Sequence, residues 1–224
     1  MDNDSVATAY TTVDGDFVHE LEIKRSRFIT YLRRVESEAA ARALVAELRK
    51  KHFDARHHCS AFILGPDRTA MRSNDDGEPS GTAGIPMLDA LAKRETESGT
   101  TDLSDISAVV VRYFGGILLG AGGLVRAYSE SVSSALDAAP LLRRERMRIL
   151  GLDADYAAAG RLENDLRSAG VQVLGTDYGP RAATLRVALN DEPTLLAAFD
   201  DRLATLTAGA SRAQDLGTEW VDVR

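Results

Sequence analysis

The spacing of apolar residues predicts alternating strands and helices in the first part of the chain. Residues 1–15 are polar overall, and we expect an irregular lead-in there. Two segments of strand composition follow, at 17–23 and 28–35. Ser37 then precedes apolar residues that recur at helical spacing between 41 and 48, and serine is a favoured helix cap. These patterns predict two strands followed by a capped helix.

The next segment predicts a hairpin and a long polar loop. A strand over 57–64 and a short partner over 69–73 are separated by Gly-Pro-Asp, a strong turn signal. Residues 73–82 have almost no apolar content and contain Asp-Gly, which favours a tight turn. We expect a helix after this loop, capped by Thr82 and ended by Gly99.

The segment from Ile106 to Pro140 predicts a strand, a glycine-rich loop and a helix, around which we expect the N-terminal half to be organised. The β-branched run at 109–111 is typical of a buried strand, and helical spacing begins at Leu124 and stops at Pro140. Glycines let backbone N–H groups approach a ligand, and a helix N-terminus favours an anion. The alternative is that the glycines only allow the strand and helix to pack closely. They are Gly115, Gly116, Gly120, Gly122 and Gly123.

This glycine loop does not match the two standard nucleotide-binding motifs. Counting from Gly120, the sixth position of a dinucleotide fingerprint is Val125 instead of glycine. A phosphate-binding loop requires a Gly-Lys pair, and the segment contains no lysine. We therefore predict no cofactor.

The C-terminal part differs in composition and predicts a second domain. Residues 143–224 contain no histidine, cysteine or lysine. Their pattern predicts strand, helix, strand, strand, helix and strand, with Asp191 capping the second helix. This βαββαβ order is the ferredoxin-like arrangement. We predict an α+β protein with domains at 1–142 and 143–224.

Composition and charge restrict the setting of the protein. The 224 residues are 44% hydrophobic and 27% charged, as in soluble globular proteins. The net charge of −7 opposes indiscriminate binding of nucleic acid, so that RNA contact needs a local basic patch. No leader or membrane-spanning pattern is present, so we expect a cytoplasmic protein without membrane contact. The densest basic cluster is Arg143, Arg144, Arg146 and Arg148.

The sequence Arg56-His57-His58-Cys59 contains the groups best suited to chemistry. On a strand, His57 and Cys59 share one face and His58 lies on the other. A Cys–His dyad is one hypothesis, but cysteine is among the most buried residue types, and we predict a structural role for Cys59. A metal site that combines the histidines with nearby carboxylates is another hypothesis, although its spacing matches no recognised motif.

The polar loop supplies three carboxylates, which serve acid–base chemistry, hold a cation or form a solvated turn. Because this loop and the glycine loop each precede a helix, we predict that they face each other across one polar pocket. Arg112 is expected at its floor, and the expected ligand is an anionic small molecule. The predicted ligand-binding residues are His57, His58, Asp75, Asp76, Glu78, Ser80, Thr82, Arg112, Tyr113, Gly115, Gly116, Gly120, Gly122, Gly123 and Arg126.

Three ordered motifs resemble the signatures of the IMPACT/YigZ family. They are the segments 56–59, 75–84 and 110–128, and the resemblance covers nearly the whole chain. Phe114 stands where bacterial members often have tyrosine, and Arg126 where they often have lysine. Neither difference disturbs the pattern.

The resemblance implies a fold and a cellular setting. It implies an N-terminal α/β sandwich similar to domain IV of elongation factor G and to the GHMP kinases, and a C-terminal ferredoxin-like domain. Eukaryotic relatives act in translational control, so a binding or regulatory protein that contacts RNA, the ribosome or a translation-factor partner is expected. The family has no agreed catalytic residues. The alternative is an enzyme acting on a phosphorylated or nucleotide-like small molecule near Arg112 and the glycine loop.

Overall fold

The computed structural model describes residues 7–97 and 99–223, and they form two compact units. The division falls between Arg144 and Glu145. The prediction of an α+β protein with two domains is therefore confirmed. The predicted boundary at 142/143 and the ability of each domain to fold alone stay predictions.

The first unit is a five-stranded antiparallel sheet with helices on both faces. The strand order is β2-β3-β6-β4-β5, so that the β-branched strand β6 lies at the centre. The elements are β1 (Ala9–Val13), β2 (Phe17–Ile23), β3 (Ser26–Arg34), α1 (Glu38–Lys51), β4 (His57–Leu64), β5 (Ala70–Asn74), α2 (Gly84–Ala92), β6 (Ile106–Tyr113) and α3 (Ala121–Ala138).

The two faces of this sheet bury alternate residues of the same strands. Val110 of β6 packs with Tyr128 of α3 in the main core, which also includes residues of α2. Val109 and Val111 face the other way and pack with Leu44 of α1. Because successive side chains of β6 enter different cores, its middle part, Ala108 to Val111, is apolar without alternation.

The second unit has the strand order of the predicted ferredoxin-like fold. β7 pairs with β9, β9 pairs with β8, and β10 pairs with β7. Residues of α4 and α5 pack on one side of this sheet, in a core that includes Leu162, Phe199 and Leu203. The elements are β7 (Leu141–Ala154), α4 (Tyr156–Ser168), β8 (Gln172–Tyr178), β9 (Ala183–Asn190), α5 (Pro193–Thr207) and β10 (Ala213–Val223).

The polar lead-in predicted over residues 1–15 is wrong at residues 9–13. Residues 9–13 form β1, and Tyr10 to Val13 are buried. The hydroxyl of Tyr10 donates to the Asp105 carboxylate. The pattern was misleading because threonine and tyrosine look polar in sequence, although both favour strands and are buried once their hydroxyls are bonded. Residues 1–6 lie outside the described residues.

Three predicted helix ends are also wrong. Thr82 donates its hydroxyl to the carbonyl of Pro79, and the cap of α2 is Ala83. The helix ends at Ala92, well before Gly99. Asp191 does not cap α5 either, because its carboxylate pairs with Arg148 at 2.9 Å. Asp191 is thus taken by a distant partner, whereas Thr82 bonds to a carbonyl three residues before it.

Candidate functional site

The register of the central strands places three side chains side by side beneath the glycine loop. Arg112 on β6 pairs with Phe28 on β3 and with His57 on β4. All three face the side of the sheet that carries α3, because Cys59 and Val110 of the same two strands lie in that core. Sequence spacing alone does not reveal this row, since its members come from three distant segments.

Arg112 and Glu78 form a buried ion pair at the centre of the site. Arg112 Nη1 lies 2.6 Å from Glu78 Oε1, and the two side chains are only 7% and 4% exposed. Tyr128 of α3 donates its hydroxyl to the same oxygen at 2.8 Å. The guanidinium also lies 5.4 Å from the ring centroid of Phe28 and 5.7 Å from that of Phe114. Each of the two buried charges thus lies beside an opposite charge, in an interior where an unpaired charge is energetically costly.

Cys59 and Tyr128 extend this buried network and are poorly suited to nucleophilic chemistry. The Cys59 sulfur lies 3.0 Å from the carbonyl oxygen of Asp75 and 3.3 Å from the Tyr128 hydroxyl. Burial raises the pKa of Cys59 to about 12. Burial, together with the neighbouring Cys59 and Glu78, also raises the pKa of Tyr128. At neutral pH both groups keep their protons.

Asp75 stabilises the polar loop of residues 73–82, which we call the acidic loop, and its carboxylate caps α2. Its carboxylate accepts hydrogen bonds from the amides of Gly81, Ala83 and Gly84, at 2.8, 3.0 and 2.7 Å. Burial by itself raises the pKa of Asp75, but the three amide donors outweigh it and leave this pKa below its usual value. Asp75 therefore supplies the cap that the sequence pattern had assigned to Thr82.

Asp76 connects the acidic loop to both histidines of β4. Its carbonyl accepts a hydrogen bond from His57 Nδ1 at 2.9 Å, and its carboxylate accepts one from the backbone N–H of His58 at 2.6 Å. A carbonyl cannot donate, so Nδ1 of His57 carries the hydrogen. The other ring nitrogen, Nε2, lies 3.9 Å from Glu78 Oε1. Arg49 of α1 also pairs with the Asp76 carboxylate.

Two glycines are required by close backbone contacts. A Cβ on Gly115 would lie 2.0 Å from the carbonyl of Arg25, and one on Gly84 would lie 2.8 Å from the backbone N of Asn74. These distances exclude any side chain. The close contact of Gly115 is with the turn between β2 and β3 and not with a helix, so it does not test the alternative that the glycines let strand and helix pack closely.

A cavity of about 350 Å³ opens between the two loops, and we call it the glycine-loop cavity. It lies within the size range of ligand sites. The pocket expected to be polar is mainly apolar, since the leucines of the glycine loop pack against the end of the acidic loop. The lining residues are Arg56, His57, Glu78, Pro79, Arg112, Phe114, Leu118, Leu119, Gly120, Ala121 and Leu124.

The structure brings together some of the predicted ligand-binding residues and separates others. His57, Glu78, Arg112 and Gly120 line the glycine-loop cavity. The remainder do not line it: Asp75, Asp76, Ser80, Thr82, Gly115, Gly116, Gly122, Gly123 and Arg126 lie in or beside its loops, and His58 and Tyr113 face α1. Whether any of them binds a ligand stays a prediction. His58 and Tyr113 were misplaced because strand alternation was not carried through to the helix that covers each face.

Sequence analysis missed the apolar part of the site. Phe114, Ile117 and Leu118 are 48%, 40% and 84% exposed, although their side chains are apolar. Phe114 and Leu118 line the cavity, Ile117 precedes Leu118 in the same loop, and exposed apolar groups of this kind mark contact surfaces. The signal was present as apolar residues inside a glycine-rich loop, where turns are usually polar.

The predicted basic cluster is distributed along β7 and does not form one open patch. Arg144 is buried, and its guanidinium lies 2.9 Å from Glu36. Arg148 pairs with Asp191 and Asp215 at 2.9 and 3.2 Å. Arg143 and Arg146 fall on opposite faces of the strand. Two of the four arginines are thus already engaged by carboxylates.

Two broader features hold for residues 7–97 and 99–223. No group of three or more His, Cys, Asp or Glu side chains in these ranges is arranged to hold a metal ion. None of the helices there combines the length and the apolar character that a membrane span requires.

Comparison with known proteins gives consistent relationships for both units. Residues 24–136 match the family model of the Impact N-terminal domain, and residues 152–210 match a domain of unknown function, DUF1949. The chain is 48% identical over 159 residues to the IMPACT family member YvyE of Bacillus subtilis, covering 71% of this chain and 70% of that protein. It is 40% identical over 202 residues to an IMPACT family member of Haemophilus influenzae, covering 89% and 93%.

A solved structure agrees with these relationships. It is titled a hypothetical protein, is 38% identical in sequence, and superposes with a TM-score of 0.58 over 92% of this chain and 96% of that one. With two family models in order and relatives similar over most of their length, the chain belongs to the IMPACT family.

Proposed function

We propose that this IMPACT family member is a binding protein of translation and that its glycine-loop cavity holds a segment of a partner protein. The setting comes from the family resemblance, whose eukaryotic members act in translational control. The observation that carries the mode of binding is the exposed apolar rim that Phe114 and Leu118 form at a ready-made cavity, with Ile117 exposed in the same loop. Apolar surface kept in water beside a cavity is typical of a contact site for another protein.

The charges around the cavity indicate the chemistry of the segment. Arg56 is exposed at the mouth, and α3 begins there with Ala121. The first amides of a helix have no partner within it and favour a negative group. Inside, Arg112 and Glu78 neutralise each other. An apolar side chain next to a carboxylate therefore fits best, the first in the cavity and the second at its mouth.

RNA and the ribosome remain the other partners that the resemblance implies. The net charge of −7 and the engagement of Arg144 and Arg148 by carboxylates weigh against an extended contact with phosphates. A protein of the ribosome or a translation factor suits the apolar rim better than RNA does.

We propose no catalytic role for this cavity. Cys59 and Tyr128 keep their protons, and Glu78 is already bonded by Arg112 and Tyr128. The alternative, an enzyme acting on a phosphorylated or nucleotide-like molecule, is favoured by the start of α3 and by Arg56 at the mouth. Such a ligand would bind through these groups, but the side chains of Cys59, Tyr128 and Glu78 beneath them are already hydrogen-bonded to one another.

The test is capture of partners from lysate with the full chain and with Leu118→Asp as bait. Leu118 is 84% exposed, so its replacement leaves the fold intact. We expect ribosomal proteins or translation factors to be enriched by the wild type and reduced about tenfold or more by the variant, roughly 1.4 kcal/mol of binding. Leu195→Asp, at a leucine of α5 that is 45% exposed, is the matched control and retains capture.

Three outcomes contradict the proposal. Enrichment that is equal for Leu118→Asp and the wild type shows that the rim is not the contact. Enrichment that disappears on ribonuclease treatment, or falls steeply with added salt, identifies RNA as the partner. Turnover of a phosphorylated compound that Leu118→Asp abolishes would favour the enzyme instead.

A further inference from the structure

A second cavity lies on the opposite face of the same sheet, and we call it the α1 cavity. It has a volume of about 470 Å³ and is enclosed by α1 and by the outer strands β4 and β5. His58 and Ser60 line it from β4, whereas His57 and Cys59 of that strand face the other way. Nothing in the proposed function uses this cavity.

His58 forms the floor of the α1 cavity, and one of its ring nitrogens is buried without a hydrogen-bond partner among the described residues. The residue is only 5% exposed, and its Nε2 is buried without a hydrogen-bond partner among the described residues. Its other ring nitrogen lies 3.8 Å from the Asp76 carboxylate, which already accepts the His58 backbone N–H. Buried polar atoms are almost always bonded, because an unmade bond costs free energy. Because Nε2 is itself closed to solvent, the His58 ring serves as the floor on which a ligand would lie.

The rim of the α1 cavity is strongly basic. Arg42 and Arg49 of α1 and Arg72 of β5 line it, against one carboxylate, that of Glu38. Arg42 pairs with Glu38 at 2.9 Å, and Arg49 pairs with Asp76, but the arginine side chains are 79% and 54% exposed. Exposed pairs of this kind are weak and are readily exchanged for a better partner. The rim thus has spare positive charge for an anion.

Arg72 is the arginine that can most easily contact an anion in the α1 cavity. Its Nη1 donates to the carbonyl of its own neighbour, Met71, at 2.8 Å, and the residue is exposed on the edge strand. The register places it opposite Phe62, on the face of the sheet that α1 covers. A guanidinium here reaches over the cavity without breaking an ion pair with a carboxylate.

The remaining wall is apolar. Val45 and Ala46 of α1 and Phe62 of β4 line the cavity opposite the charges. Its volume greatly exceeds that of an inorganic phosphate and falls in the range for small organic ligands. We propose that the α1 cavity binds a small phosphorylated organic molecule. The phosphate lies among Arg42, Arg49 and Arg72, the apolar part lies on Phe62, and the His58 ring lies beneath the ligand.

The test uses inorganic pyrophosphate as the probe and the histidine ring signals of the full chain as the readout, measured by nuclear magnetic resonance. The His58 signal is identified by its loss in His58→Gln. We expect pyrophosphate to shift this signal in a saturable manner, while acetate at the same ionic strength does not. Arg72→Gln should weaken the binding at least about tenfold, because each arginine–phosphate contact is charge-assisted.

The matched control is Arg56→Gln, which removes an exposed arginine at the glycine-loop cavity and should leave pyrophosphate binding unchanged. The proposal is overturned if the His58 signal does not move, if acetate shifts it equally, or if Arg72→Gln binds as tightly as the wild type. Because the readout is confined to His58, failure of the docking proposal for the glycine loop has no effect on this result.

Discussion

The two faces of the first unit's sheet differ in how their buried polar and charged side chains are paired. On the α3 face, Arg112, Glu78, Tyr128 and Cys59 form one buried network whose charges are paired. On the α1 face, His58 is equally buried, yet its Nε2 has no partner among the described residues. One strand, β4, contributes to both.

The difference follows from what covers each face. The acidic loop folds over the α3 side and brings Glu78 to Arg112, so that the two charges neutralise each other, although Arg112 Nε has no hydrogen-bond partner among the described residues. The α1 side is covered at one edge by the arginine-bearing surface of the helix, which leaves a basic cavity above His58. Internal pairing stabilises the fold, whereas unpaired groups in a cavity are available to a ligand. Four experiments test this contrast.

The largest effect is expected in the reactivity of Cys59. With a pKa of about 12, roughly one thiol in ten thousand is ionised at pH 8, against about a quarter of ordinary thiols. Labelling of the native protein by a thiol reagent should be roughly a thousandfold slower than labelling in urea. A native rate close to the unfolded rate would show that the α3 face is open and would revive a catalytic cysteine.

The next effect is on stability, through the buried ion pair. Arg112→Met leaves the Glu78 carboxylate buried without its cation, and we expect the free energy of unfolding in urea to fall by about 3–5 kcal/mol. The control is Arg27→Met, whose partner Glu20 is 46% exposed, and it should cost less than about 1 kcal/mol. Similar losses for both variants would contradict the description of the α3 face as a closed network.

Asp75→Asn should cost about 1–2 kcal/mol, the usual value of a helix cap, and the loss should depend on pH. Because amide donors lower the pKa of folded Asp75 below the unfolded value of about 3.9, its charge stabilises the protein at higher pH. That contribution disappears as the pH falls through the folded pKa. Unfolding free energies of the two proteins should therefore converge below about pH 4, and a constant difference would exclude the cap.

The smallest effect is expected at the α1 face. His58→Leu removes a buried nitrogen that has no partner among the described residues, so the free energy of unfolding should be unchanged or up to about 1 kcal/mol higher. His57→Leu is the control, because it breaks the 2.9 Å bond to the Asp76 carbonyl and should lower stability by about 1 kcal/mol. A large loss for His58→Leu would mean that this histidine is structural.

Much of the fold could be predicted because it depends on local pattern. Ser37 accepts the amide of Ala40 as the predicted cap of α1, and the strand at 57–64 has the predicted bounds. The βαββαβ order of the second unit follows from segments whose period matches their structure. The error at Asp191 occurred where a residue far along the chain provided a competing ion pair, and the error at Thr82 where the nearby Pro79 carbonyl provided a competing hydrogen bond.

The sequence by itself determined the elements, the family and the alternation that separates His57 from His58, because periodicity and motifs are properties of neighbouring residues. Only the tertiary structure decided that Arg112 would meet Glu78, 34 positions away, and that Arg144 would be enclosed beside Tyr10 and Glu36. Pairing of charges depends on which loop covers which face, and burial makes such pairing obligatory. The energy of an unpaired charge in a core therefore selects contacts that no local pattern specifies.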